Sequence, residues 1–185
     1  MKRGLGQHGL AGQQRLGHPL RRSREIGYAT RVGMAQRETP DLRRTSMSDS
    51  MSQTARQFFE ACEAGKGWEA CAPYCKSDAT FAAQAEPLTD ITALAAYADW
   101  MKQIVGFMPD ARYELKSWAI DEERNNVSAY AVFLATHTGE GGPCPPTGKS
   151  VATDYVYVMF FDGDKISHLT KIWHAGLALQ QVGWV

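Results

Sequence analysis

Residues 151–174 read VATDYVYVMFFDGDKISHLTKIWH, and no other part of the chain is so plainly β. The run 151–161 is built of β-branched and aromatic residues, the types that fit a pleated, half-buried surface. Asp162, Gly163 and Asp164 make a tight turn, and residues 165–174 return as a second strand. Strands joined that tightly are antiparallel. Alternation sets Tyr155, Tyr157 and Met159 on one face and Val156, Val158 and Phe160 on the other. Both faces are largely apolar, so both are expected to be covered. Helices and a pocket would cover one, and a second copy of the chain, in a homodimer across the convex face, would cover the other.

Reading upstream, residues 139–148 form a Gly/Pro loop and 127–138 a strand. Residues 121–126 form a polar hairpin turn, and 112–120 a further strand with Tyr113, Leu115 and Ser117 on one side. Before them, residues 89–106 hold a helical period through Ile91, Leu94, Tyr97, Trp100, Met101, Ile104 and Val105. A short strand (79–82) and a short helix (68–75, interrupted by Pro73) precede it. The first helix is expected from a Thr54 cap through Cys62, with an apolar stripe of Phe58, Phe59 and Cys62, stopped by Gly65 and Gly67. Downstream, 177–182 reads as a last short helix. Helices first and a strand meander afterwards give an α+β layout. A strongly curved antiparallel sheet wrapped on the long helix would enclose a cone-shaped hollow.

Charge divides the chain. Residues 1–46 hold ten Lys/Arg against Glu25, Glu38 and Asp41, while the whole chain has 20 of each sign. The first 46 residues have few large apolar residues and no sustained period, so they are expected to be a disordered basic tail, or an upstream reading-frame artefact, since Met34, Met47 and Met51 are alternative starts. The domain is then 47–185. The tail has none of the interleaved aromatics that single-strand binding favours, so no nucleic-acid partner is expected. No run of 18 apolar residues exists, so no membrane span is expected, and no apolar leader opens the chain. Cys62, Cys71, Cys75 and Cys144 are read as reduced thiols of a cytoplasmic protein. Cys71 and Cys75 have no nearby histidine to complete a metal set. Gly148-Lys149-Ser150 ends like a phosphate-binding loop, but five residues separate Gly142 from Gly148, and Pro143, Pro145 and Pro146 lack N–H groups.

Two local motifs sharpen the picture. Ala135-Thr136-His137-Thr138-Gly139 is followed by Pro145-Pro146-Thr147-Gly148-Lys149, and Gly163-Asp164-Lys165-Ile166 by Ile172-Trp173 and Gln180-Gln181-Val182-Gly183-Trp184. Together with the element order, they resemble the THxG…PPTG loop and GKI…W…QLG tail of the SnoaL-like polyketide cyclases, in the NTF2-like superfamily. The resemblance runs from near Gln53 to Val185. It implies an NTF2-like cone and cofactor-independent chemistry: an intramolecular aldol or proton-transfer reaction next to a carbonyl of a hydrophobic small molecule. It equally admits a non-catalytic ligand-binding module or a dimeric interaction protein of the same fold. The cyclases use an aspartate in the last strand as general acid/base. Its usual positions fall near Lys171 and His174, and neither is an acid here.

Several residues are therefore candidates for the chemistry. In the last strand His168, Thr170, Ile172 and His174 share one face, and Leu169, Lys171 and Trp173 the other. With the Trp173 face inward, Lys171 is a buried base or Schiff-base nucleophile. With the other face inward, His174 is the titrating group. Asp154 is a general base if buried, and otherwise an ion-pair partner for an arginine such as Arg112 or a solvated strand-end residue. His137 either orients a substrate carbonyl at the mouth or satisfies loop backbone groups. Tyr155 and Tyr157 are hydrogen-bond donors for an oxyanion. Phe81, Tyr97, Trp100, Met101, Tyr113, Trp118 and Trp173 complete an expected apolar lining.

Overall fold

In the computed structural model the described residues are 40–185, with side chains from Met47 onward. The basic tail expected over 1–46 lies, as far as residue 39, outside them. Helix α1 (Pro40–Glu63) is followed by α2 (Trp68–Cys71), a 3-10 turn (Ala72–Tyr74) carrying Pro73, and strand β1 (Cys75–Ala83). Helix α3 (Leu94–Phe107), strands β2 (Arg112–Asp121), β3 (Asn126–Thr136), β4 (Ser150–Asp162) and β5 (Lys165–Trp173), and helix α4 (Ala175–Val182) complete the chain. The strands form one curved, unclosed sheet in the order β1-β5-β4-β3-β2. The α+β cone expected from the sequence is therefore present.

Four local expectations are corrected. The sheet is mixed rather than wholly antiparallel, because β1 pairs in parallel with β5. Helix α3 starts at Leu94 rather than residue 89. The preceding segment lies against β1 instead, with Phe81 N donating to Thr92 O (2.7 Å) and Thr80 bridging Ala93. In β2 the register slips between Leu115 and Ser117. That bulge turns Trp118 rather than Ser117 to the inside, below Tyr113 and Leu115. The first helix also extends beyond the Thr54 cap, back to Pro40.

Burial follows the two periods. Val151, Thr153, Tyr155, Tyr157, Met159 and Phe161 of β4 are all buried, and Ala152 and Asp154 between them are exposed. Leu94, Tyr97, Ala98, Met101 and Ile104 form the buried stripe of α3. From α1, Phe58, Phe59 and Cys62 enter the same core. Phe59 is the hub, with ring contacts to Tyr113, Trp118, Tyr155 and Tyr157 at 5.0–6.3 Å. Cutting such a side chain to alanine costs about 3–5 kcal/mol. Gly183 ends α4 in the left-handed conformation (φ 75). No helix among the described residues is long and apolar enough to cross a membrane.

Candidate functional site

Sheet curvature and the long helix leave a cavity of about 50 Å³ between the concave face of β3–β5, α3 and α4. Trp100, Met101, Ile104 and Met108 of α3 line one side, with Phe133, Val151, Thr153, Tyr155, Lys171 and Trp173 from the sheet and Val182 and Trp184 from the tail. The orientation of β5 is thereby set: Lys171 and Trp173 face the hollow.

Lys171 is buried (8% exposed) and donates a hydrogen bond from Nζ to Tyr97 Oη at 3.0 Å. Its ammonium lies 4.8–5.8 Å from the ring centres of Tyr97, Trp100, Tyr155, Tyr157 and Trp173. Ring faces of this kind attract a cation but do not replace its lost water. Burial lowers the Lys171 pKa to about 8, against the opposing pull of the Glu63 charge. Behind the lysine, the Tyr97 hydroxyl is hydrogen-bonded to that of Tyr157. Burial drives both phenols up, so they stay protonated.

The sequence reading missed Glu63, the last residue of α1, which is 3% exposed. Burial raises its pKa, and the Lys171 charge and the Tyr157 and Tyr155 hydroxyls act the other way. Glu63 and Tyr155 thus influence one another's protonation, yet neither Glu63 Oε1 nor Tyr155 Oη makes a hydrogen bond in this geometry. A signal for Glu63 existed. It lies four residues after Phe59, on the same helical face. Two further buried polar atoms without partners, Thr153 Oγ1 and Trp173 Nε1, belong to residues that line the cavity. A buried polar atom left unpaired costs about 1–3 kcal/mol.

Other sequence candidates lie elsewhere. His174 is exposed and caps α4, its Nδ1 accepting from Leu177 N at 3.0 Å. Asp154 is on the outer sheet face, where its carboxylate accepts from Tyr130 Oη at 3.0 Å, so it is not the buried base. His174 and Asp154 border an open outer groove, on the opposite side of the sheet from Lys171. His137 is fully buried away from the cavity lining. Its Nδ1 accepts from Trp184 Nε1 (3.1 Å) and Thr147 N (3.3 Å), which pins the tail to the Gly/Pro loop and leaves the proton on Nε2. Phe81 stacks on Tyr97 (4.1 Å) outside the lining, and Tyr113 and Trp118 pack on Phe59. Of the expected lining, Trp100, Met101, Tyr155 and Trp173 reach the cavity, and Tyr97 and Tyr157 stand one layer behind. All four cysteines are free, and among the described residues no group of three or more His, Cys, Asp and Glu could hold a metal.

A curved, unclosed α+β sheet packed on a long helix is the architecture that places this chain in a known class. The SnoaL-like domain model matches residues 55–169, more than half of the chain, and the chain belongs to that family, with its NTF2-like fold. Solved structures agree on the fold. A SnoaL-like candidate polyketide cyclase of Jannaschia sp. CCS1 superimposes with a TM-score of 0.63 at 10% identity, covering 74% of this chain and 93% of its own. A candidate polyketide cyclase of Acidithiobacillus ferrooxidans gives 0.60 at 21% identity, covering 75% and 97%. An epoxide hydrolase of Mycobacterium tuberculosis, of the LEH-like type, gives 0.53 at 10% identity, covering 74% and 92%. No curated protein sequence matches the chain.

Proposed function

We propose that this protein binds a small, largely apolar carbonyl compound and moves a proton at the carbon beside the carbonyl, without a cofactor. One observation carries the reading: Lys171, a buried amine, lines an apolar cavity together with Thr153, Tyr155 and Trp173, whose buried polar atoms lack partners. With a pKa of about 8, Lys171 exchanges protons near neutral pH, as a general acid or base must. The unpaired donors of Tyr155 and Trp173 are the groups to hold a developing oxyanion. Candidate polyketide cyclases and an epoxide hydrolase among the structural neighbours are consistent with small-molecule chemistry in such a hollow.

The test is deuterium uptake next to the carbonyl of small ketones in heavy water, followed by NMR. Wild type is expected to accelerate exchange over buffer, and Lys171→Met to lose about 10²–10⁴-fold of the effect. Exchange at the buffer rate across the ketone series, or unchanged by the substitution, would sink the proposal. A non-catalytic binder is favoured by one observation, that no carboxylate lines the cavity. It is recognised by ligand-raised melting temperature without exchange.

On the outer sheet face Tyr130 and Ile172 are exposed (38% and 60%). We propose that a second copy covers them in a homodimer, and a monomer by light scattering at micromolar concentration would oppose this.

A further inference from the structure

The surroundings of Lys171 Nζ are more specific than proton transfer requires. Its one hydrogen bond goes to Tyr97 Oη, at 3.0 Å, and none of the ion pairs of the described residues includes it. The remaining directions of the nitrogen are not tied to a carboxylate that would hold it as an ammonium. It borders a hollow of about 50 Å³. On the scale where one water needs roughly 10–15 Å³, that hollow takes about four heavy atoms. Thr153, Tyr155 and Trp173, each with an unpaired buried polar atom, line the same hollow. Resting on the reading above that the cavity receives a carbonyl compound, but not on the proton-transfer step, we infer that Lys171 captures small aliphatic aldehydes and ketones covalently, as an imine on Nζ.

The step balances without an oxidant or reductant. The neutral amine attacks the carbonyl carbon, a C–N bond forms, and the C=O π pair moves to oxygen, which takes the proton that nitrogen releases. The carbinolamine then loses its hydroxyl together with the second N–H proton as one water, leaving C=N. Tyr97, in contact with Nζ, and Tyr157, hydrogen-bonded behind it, are placed to carry these protons. A lysine whose pKa falls from 10.5 to about 8 has a free-amine fraction at pH 7 about 300-fold above that of a solvated lysine. That supports the choice of this amine over those on the surface.

The experiment is borohydride trapping on the full chain. Protein is incubated at pH 7 with limiting propanal or acetone, reduced, and mapped by peptide mass spectrometry. The expected result is one adduct, on Lys171, formed at least about tenfold ahead of any surface lysine. 1-Naphthaldehyde, too large for the hollow, is expected to leave Lys171 unlabelled. Adducts scattered over surface lysines with Lys171 unmodified would overturn the inference, and equal labelling by 1-naphthaldehyde would overturn its size limit. Deuterium exchange on the same compounds separates the two proposals. Exchange without a Lys171 adduct keeps the proton-transfer reading and removes the imine. An adduct without exchange does the reverse, and neither signal removes both.

Discussion

Replacing Lys171 with methionine tests the physics of the site independently of any substrate. Methionine keeps an unbranched apolar stem and removes the charge. In the folded chain the Lys171 pKa is depressed from 10.5 to about 8, mainly by burial. The unfolded chain therefore holds this proton more tightly, and the site opposes folding at every pH below the folded value. Between about pH 8 and 10.5 the unfolded state binds more protons than the folded one, so stability rises with pH across that window. The difference between the two values corresponds to about 3 kcal/mol in the low-pH limit. Between pH 7 and 9.5 the wild type should recover about 2 kcal/mol of it. Lys171→Met should lack this recovery. It should also be the more stable protein at pH 7, by up to about 2 kcal/mol once about 1 kcal/mol for the lost Tyr97 hydrogen bond is subtracted. Urea unfolding of both proteins at the two pH values measures each quantity. Glu63 loses its neighbouring cation in the variant and protonates more readily, so Lys171→Met/Glu63→Gln is run beside it to remove that contribution. A wild type that weakens relative to these variants as pH rises from 7 to 9.5 would refute the reasoning.

Further outcomes are expected. Tyr97→Phe removes the acceptor for Lys171 Nζ and the partner of Tyr157, so urea unfolding should show a loss of about 1–2 kcal/mol. The Lys171 pKa should fall further, moving the rising limb of any exchange pH profile to lower pH. His174→Ala removes the cap on Leu177 N and should cost about 1 kcal/mol, while exchange and its pH profile stay as in wild type. A loss of exchange would bring His174 back to the chemistry. Gly139→Ala would set a methyl group against the Gly106 carbonyl oxygen and within 3.0 Å of the Phe107 backbone. With no rotatable side chain to give way, destabilisation of about 1–3 kcal/mol is expected in thermal or urea unfolding.

The order of elements was legible because each leaves a local period or breaker: the 3.6-residue stripe of α3, the alternation of β4, the turn at Gly163. What was not legible depends on contacts distant in sequence. The parallel partner of β1 lies some ninety residues away on β5, and nothing in the alternation of residues 79–82 states it. A separate bridge from Thr80 of β1 holds residues near Ala93 extended and delays the start of α3. The β2 bulge inverts the inside face halfway along a strand whose alternation alone points to Ser117. At the site, alternation grouped Lys171 with Trp173 against His174, but only the sheet curvature decides which group is inside. Glu63 directly follows Cys62, the last apolar residue of the stripe, and a carboxylate at that point does not read as core.

Polar residues at core positions show where a fold departs from the sequence that would stabilise it best. The inner face of β4 and β5 is otherwise built of Val151, Met159, Ile166, Leu169 and the tyrosines, and methionine would fit the stem of residue 171. Holding an ammonium there costs about 3 kcal/mol at pH 7, a sizeable part of the 5–15 kcal/mol by which domains are stable. A structural reason would show as a tight ion pair, yet no carboxylate lies within salt-bridge distance of Lys171 among the described residues. The nearest compensation is one tyrosine hydroxyl and five ring faces. Three unpaired polar atoms on the same cavity wall add to the cost rather than relieve it. Glu63 Oε1 and His137 Nε2 are also buried without partners, so the strain is not confined to the hollow, but three of the five such atoms among the described residues belong to residues that line it with Lys171. The Lys171→Met measurement decides between the two origins of this buried amine. A site built for chemistry should become more stable when its amine is removed, and one built for structure should not.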